Sequence, residues 1–148
     1  MVTSNKERFF REFFWYWAGR FSLNKDIKIK ITKEELKAAA DDSGKYLYYN
    51  KKEIDNLTTA ELIDIALHEI GHLINNLNYN TEEEKINAEY AAENFAITNI
   101  KAHYIKYLNR VLESLYMEIK TSEETDIYKQ AYMKIPEFKK YYEKKGVK

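Results

Sequence analysis

Residues that interrupt helices and strands are scarce in this sequence, which contains one proline and four glycines among 148 residues. A many-turned β-sandwich needs more of them, so their scarcity favours helices. Hydrophobic residues make up 45% of the chain, which is enough for a core, and the length suits one domain. We therefore expect a mostly helical α+β fold in a single domain over 1–148. Its core is expected at about 22–100, and a C-terminal helical extension at about 101–148.

The charge balance and the lack of cysteine exclude several classes of protein. Lysine plus arginine and aspartate plus glutamate number 24 each, so the formal net charge is zero. Nucleic-acid-binding proteins normally show a basic excess, and we expect no nucleic-acid partner here. Because cysteine is absent, disulfides and thiolate metal sites are excluded. No apolar signal segment or membrane-spanning run is visible, which predicts a cytoplasmic protein without a membrane partner. The pattern does not predict the oligomeric state.

The N-terminal aromatic residues indicate a helix. Phe9, Phe10, Phe13, Phe14 and Trp17 recur at spacings that place most of them on one side of it. The interpretation that we favour is a helix whose aromatic side faces the core. The alternative is a helix that lies in a membrane interface, with arginines at its flanks.

The following segment predicts a small sheet. Alternation over Ile27–Ile31 is typical of a short half-buried strand. A capping box that begins at Thr32 predicts a short helix over 33–40. Tyr46–Tyr49 indicates a second strand and 52–54 a third, so the sheet has two or three strands. We expect it to pack on the helix described next. The edge of Tyr46–Tyr49 could receive an extended peptide by β-pairing.

Two capped helices dominate the middle of the chain. A capping box over Thr58 and Glu61 begins the first, and another at Thr81 begins the second after an asparagine-rich turn. Further helices are predicted over 123–134 and from Pro136, which suits a first helical position. The first helix has an apolar stripe formed by Leu62, Ile65, Ala66, Ile70, Leu73, Ile74 and Leu77.

The first of these helices carries the sequence His-Glu-Ile-Gly-His at residues 68–72. Two histidines four positions apart lie on one face of a helix, so His68 and His72 can bind one zinc ion. Glu69 points about 100° away and can reach a zinc-activated water as general base. Gly71 costs about 1 kcal/mol relative to alanine inside a helix, which suggests a close approach there. The alternative is a pair of helix histidines with an accidental glutamate between them.

A catalytic zinc needs a third protein ligand, and a carboxylate is the best candidate because the chain has no cysteine. If the next helix runs antiparallel, the rise of 1.5 Å per residue returns Glu89 to about the level of His72. Glu93 lies one turn further on the same face. We favour Glu89 as the ligand, with Glu93 accepting the outer N–H of a ligand histidine.

These residues carry a family resemblance over about 46–100. His-Glu-Ile-Gly-His followed by Glu89-Tyr-Ala-Ala-Glu93 resembles the gluzincin metallopeptidases, whose signature is HExxH plus E-x-x-A/S-D/E. The fuller pattern is most similar to the IrrE/ImmA group and to the minigluzincins. The resemblance implies that His68, His72 and Glu89 bind zinc. It further implies that Glu69 is the general base and that Glu93 supports a ligand.

We therefore expect a zinc-dependent endopeptidase that acts on a peptide or protein substrate. Such enzymes supply a donor for the developing oxyanion, often tyrosine or histidine, and His103 is a candidate if the chain bends after Ile100. The helices beyond residue 101 could complete the core, bind a partner or cover the cleft. One alternative is a zinc-binding regulatory or scaffold module with a non-catalytic or latent site. The other is a helical interaction protein whose motif is accidental.

Overall fold

The computed structural model describes residues 3–23, 27–41, 43–75 and 78–146. Seven helices and three strands lie within these ranges, which confirms the mostly helical α+β fold. In chain order they are α1 (Asn5–Arg20), β1 (Lys28–Ile31), β2 (Ala38–Ala40), β3 (Tyr46–Tyr49), α2 (Lys51–Asp55), α3 (Thr59–Ile74), α4 (Glu82–His103), α5 (Ile105–Ile119), α6 (Ile127–Tyr132) and α7 (Pro136–Gly146).

The sheet has the strand order β1-β3-β2. β1 runs parallel to β3, with Lys28 opposite Tyr46, and β2 runs antiparallel to β3, with Ala39 opposite Tyr48. Because β3 lies between the other two strands, both of its edges are already paired. The prediction that Tyr46–Tyr49 offers a free edge to a peptide is therefore wrong.

The predicted short helix over 33–40 is also wrong. Thr32 Oγ1 accepts a hydrogen bond from the backbone of Glu34 at 3.2 Å instead of capping a helix. The three alanines at the end of this segment, Ala38–Ala40, form strand β2. Eight residues cannot sustain an isolated helix in water, even with good helix formers. Pairing with β3 satisfies the same backbone groups and overrides alanine's local preference.

The segment after β3 forms helix α2 and not a third strand, so the prediction for 52–54 is wrong. Asn50 caps this helix by accepting a hydrogen bond from the backbone of Glu53 at 3.1 Å. An asparagine side chain that satisfies an otherwise unpaired N–H group favours helix initiation at this point.

One side of helix α1 faces the core, in agreement with the interpretation that we favoured from the spacing of its aromatic residues. Phe10 and Phe14 are completely buried, Trp17 is almost so, and Tyr16 is exposed on the other side. A capping box between Ser4 and Glu7 begins the helix. The core therefore includes α1 and extends beyond the range 22–100 expected from the sequence.

Helices α3 and α4 form the antiparallel pair that positions the candidate site. The predicted capping box over Thr58 and Glu61 is confirmed, and Thr81 caps α4 through the backbone of Glu84. Of the predicted apolar stripe, Leu62, Ala66 and Ile70 are buried, Ile74 is exposed at 42% near the end of the helix, and Leu77 lies outside the described residues. A Cβ atom at Gly71 would lie 2.8 Å from Cα of Ala92 in α4. The close approach suggested by this glycine is therefore real.

The C-terminal helices complete the same core. Ala131, Tyr132, Ile135 and Phe138 are buried together with apolar residues of α4 and α5. Pro136 is the first residue of α7, as its position predicts. Within the described ranges, no helix is both long and apolar enough to cross a membrane.

Candidate metal centre

The two motif histidines face each other across one turn of α3. The ring centroids of His68 and His72 are 4.7 Å apart, and candidate ligand atoms of these two residues and Glu69 lie within 4.8 Å of one another. Side chains four positions apart share a helix face, which explains why the motif alone brings the imidazoles together.

Glu89 of α4 lies against both imidazoles. Its Oε1 is 3.1 Å from Nε2 of His68, and its Oε2 is 3.0 Å from Nε2 of His72. All three side chains are largely buried, at 8 to 12% exposure. The antiparallel geometry thus places Glu89 level with the motif, as the helical rise predicts.

Glu93 contacts the opposite side of the first imidazole. Its Oε1 lies 2.9 Å from Nδ1 of His68, one helical turn from Glu89 along α4. A carboxylate that accepts the Nδ1 proton fixes the ring orientation and leaves Nε2 for another partner. The contact therefore turns Nε2 of His68 towards Glu89.

The pKa values of the histidine and glutamate side chains in this cluster depend on one another. Burial opposes the imidazolium form of His68, but its hydrogen bonds to Glu89 and Glu93 outweigh burial and raise its pKa well above the usual value. Burial likewise opposes ionisation of Glu89, yet donation from His68 and His72 lowers its pKa far below the ordinary range. The two nitrogens of His68 thus face two carboxylates, Nδ1 that of Glu93 and Nε2 that of Glu89.

Glu69 lies beside the imidazoles and is held by the sheet. The backbone N–H of Ala40 in β2 donates to its Oε1 at 2.8 Å. Burial raises the pKa of this carboxyl, although the nearby His68 and His72 and the Ala40 hydrogen bond oppose the change. A raised pKa suits a group that must accept and release a proton near neutral pH.

A cavity of about 510 Å³ opens beside the cluster. Its walls include β2 and the motif face of α3, but also side chains of α5 and α6 that the sequence analysis did not select. These residues are Ser114 and Glu118 of α5 and Tyr128 and Tyr132 of α6, and Asp64 of α3 is a further wall residue that was not selected. Asp64 lies one turn before His68 on the same helix face, and this spacing could have identified it as a residue of the site. No local pattern marks the residues of α5 and α6.

His103 does not join the cluster. It is the last residue of α4, which continues without a break past Ile100, and its ring lies 5.3 Å from that of Trp17. It is absent from the described walls of the cavity, whereas Tyr79, Tyr128 and Tyr132 line it. The bend after Ile100 that a catalytic His103 requires does not occur.

The arrangement can hold a divalent metal ion. Two imidazoles and a carboxylate match the donors that zinc and neighbouring transition metals accept. Binding requires neutral histidines, so Nε2 of His68 would face the ion while its Nδ1–H donates to Glu93.

Comparisons of the chain with protein-family models, with curated proteins and with solved structures find no match. The resemblance to gluzincins therefore remains a prediction, which depends on the residues of the motif and their geometry.

Proposed function

We propose that this protein is a zinc-dependent endopeptidase. The observation that carries the proposal is the position of Glu89, whose two carboxylate oxygens lie 3.0 and 3.1 Å from the Nε2 atoms of His72 and His68. Two histidines and one carboxylate, next to a further carboxylate and an open cavity, form the donor set of catalytic zinc sites that leave a position free. His68, His72 and Glu89 would hold the ion.

A bound zinc ion would act as a Lewis acid on a peptide carbonyl and lower the pKa of water at the site. Glu69 would supply the proton transfers. The Ala40 hydrogen bond holds its Oε1, which leaves Oε2 to accept a proton from the attacking water. The same carboxyl would then deliver that proton to the leaving amine.

The cavity also offers donors for the carbonyl oxygen on which negative charge develops. Burial raises the pKa of Tyr128 above its usual value, and the charge of Glu89 adds to this effect. Burial, with the nearby carboxylates of Glu93 and Glu118, also raises the pKa of Tyr132. Both hydroxyls would therefore be protonated at neutral pH. Tyr128, which is partly exposed and near Glu89, replaces His103 as the candidate for this role.

Strand β2 supports an extended substrate. The backbone C=O of Lys37 accepts from the backbone N–H of Asn50, and the backbone N–H of Asp41 donates to the C=O of Tyr46. The residues that flank β2 therefore pair with β3 and the residue that follows it. By the alternation of antiparallel ladders, backbone groups of Ala38 and Ala40 point away from β3. The N–H of Ala40 does so in its bond to Glu69. An extended peptide could pair along this edge beside the cluster.

Metal content per chain is the first test, on protein purified without a histidine tag. We expect about one zinc per chain in the wild type and a large loss in Glu89→Ala. Peptide hydrolysis that requires zinc would then support the proposal. Stoichiometric zinc with no hydrolysis of any peptide would instead support the alternative, a zinc-binding regulatory or scaffold module. No zinc after reconstitution at neutral pH would overturn both.

A further inference from the structure

A second cavity, of about 750 Å³, lies beside the one at the candidate metal centre. Its size falls within the range of about 300–1,000 Å³ that is typical of ligand pockets. Its described walls include Arg110 and Met117 of α5 and Tyr141 and Lys145 of α7. The proposed chemistry at Glu69 does not use this second cavity.

The two cavities adjoin each other. Lys37, Glu61, Ser114 and Glu118 line both of them. Ser114 donates to Oε2 of Glu61 at 3.2 Å, and this hydrogen bond holds α5 against α3 at the boundary. The charge of Lys37 acts on Glu118, so these two side chains lie near each other at the same boundary. A ligand that leaves the first cavity on this side therefore enters the second.

Strand β2 leads from the metal centre to the second cavity. Its last residue, Ala40, donates to Glu69 beside the candidate metal ligands. Lys37, directly before its first residue, lines the second cavity. The step from Ala40 to Lys37 spans about 10 Å in an extended chain. A peptide that pairs along the free edge of β2 would therefore reach the second cavity about three residues from the scissile bond.

Two acids of the second cavity already have donors from the chain. Nζ of Lys145 lies 3.2 Å from Oε2 of Glu113, and the hydroxyl of Tyr141 donates to the same oxygen. Glu61 accepts the hydrogen bond from Ser114 described above. These two acids therefore need no cation from a ligand.

Arg110 differs from them, because it has no hydrogen bond or ion pair to another side chain within the described ranges. A guanidinium group carries five donors in a planar fork that matches a carboxylate. Met117 lies two turns further along α5, on the same helix face, and is 52% exposed. An unpaired cation beside exposed apolar surface fits an acidic side chain on a peptide better than a lysine or an arginine.

We propose that the second cavity binds the part of an extended peptide substrate about three residues from the scissile bond, where Arg110 favours an acidic side chain. This inference rests on the proposed peptidase function and adds the substrate class. Because β2 runs towards the metal centre, a peptide antiparallel to it places its C-terminal part in the second cavity. A parallel peptide places its N-terminal part there, so the side that shows the preference reports the direction of the peptide.

The test uses zinc-loaded full-length protein and fluorescence-quenched peptides. A short peptide that fills the first cavity alone is compared with peptides extended on one side or the other. The extended peptides carry glutamate, glutamine or lysine at each added position in turn. On one side, we expect kcat/KM to be about tenfold higher for the extended peptide than for the short one, the order of one or two added hydrogen bonds.

On that side, kcat/KM should also be about threefold to fivefold higher for glutamate than for glutamine, the order of one partly exposed ion pair. Equal values for the short and extended peptides, or for glutamate, glutamine and lysine, would overturn the inference. Either result would leave the peptidase proposal intact.

Variants locate the effect. Arg110→Gln should abolish the preference for glutamate over glutamine, and Arg110→Glu should reverse it so that lysine is favoured over glutamate. Arg8→Gln removes the same charge from an exposed side chain outside both cavities and should leave the preference and the basal rate unchanged. An unchanged preference in folded Arg110→Gln would contradict the inference.

A binding measurement separates the second cavity from the enzymatic activity. Calorimetry on zinc-loaded Glu69→Gln should show tighter binding of the extended glutamate peptide than of the glutamine peptide. If the wild type cleaves nothing but this preference is present and is lost on adding Arg110→Gln, the second cavity stands as a peptide site and the peptidase proposal fails. No preference in binding, together with none in cleavage, would overturn the inference.

Discussion

Two buried carboxylate clusters in this protein differ in how completely the chain satisfies them. In the first, Glu7 is 2% exposed and accepts hydrogen bonds from the backbone of Ser4, the hydroxyl of Tyr49 and the ammonium group of Lys51. Burial would raise the pKa of Glu7, but these donors outweigh it and lower the pKa. This cluster needs no outside partner, and it fixes α1 to β3 and α2.

The second cluster, at the candidate metal centre, is left incomplete by the chain. The two histidines satisfy Glu89, whereas Asp64 is hydrogen-bonded to another acid, Glu93, so one of these two carboxyls keeps its proton. Burial, with the adjacent Glu93 carboxyl, raises the pKa of Asp64 well above its usual value. The contrast teaches that a buried acid alone does not indicate function. Histidines and acids that meet beside a cavity are a better indication of function.

The largest effect is expected from Glu69→Gln, which keeps the shape of the incomplete cluster and removes its proton acceptor. We expect peptide hydrolysis to fall by about 10²- to 10⁴-fold, the usual contribution of general base catalysis, while zinc content is unchanged. Initial rates and metal analysis on the same preparation provide the check. Activity retained at the wild-type level would rule out Glu69 as the base.

Glu93→Ala tests whether the contact with Nδ1 of His68 supports the metal. We expect zinc affinity to fall by about 10- to 100-fold, as is usual when a partner of a ligand histidine is removed. Competition with a chromophoric chelator measures the affinity. Glu83→Ala is the control, because it removes an exposed carboxylate from the first turn of the same helix. Equal affinities in the two variants would refute the support role of Glu93.

Gly71→Ala tests the close approach of α3 and α4. The free-energy cost of overpacking against the backbone of Ala92 should exceed the gain in helix propensity from glycine to alanine. The free energy of unfolding should therefore fall by about 1–2 kcal/mol. Gly19→Ala is the matched control, since no atom lies within 4 Å of a Cβ there, and it should be neutral or stabilising. Urea unfolding measures both variants. A stabilised Gly71→Ala would show that the contact is not tight.

The smallest effect concerns the complete cluster and depends on pH. Tyr49→Phe removes a donor to Glu7 and should lower the free energy of unfolding by about 1 kcal/mol at neutral pH. Because the folded pKa of Glu7 is lowered, its contribution is present above the unfolded value of 4.5 and is lost as pH falls through the folded pKa. The difference from the wild type should therefore shrink in acid.

Tyr48→Phe is the matched control for this prediction, since Tyr48 occupies the same strand and is only half-buried. Denaturant unfolding at several pH values provides the comparison. A Tyr49→Phe difference that grows in acid would mean that the hydroxyl does not stabilise ionised Glu7.

The parts of the site that lie on α3 and α4 could be predicted because each depends on local helical geometry. Spacing within one helix places His68 beside His72, and the rise per residue across a short turn returns Glu89 to the same level. Gly71 signalled the close contact, because glycine is costly inside a helix without such a reason.

The opposite wall of the cavity depended on contacts between distant segments. Ala38–Ala40 has a helical local preference, yet pairing with β3 makes it a strand whose Ala40 N–H holds Glu69. Likewise, Tyr128 and Glu118 reach the cavity because α6 and α5 pack against α4 and α3. Helix periodicity is encoded over a few neighbouring residues, so the candidate metal ligands could be read from the chain. Strand partners and helix packing are determined by the free energy of the whole core, which is why the opposite wall of the cavity could not be predicted from local sequence.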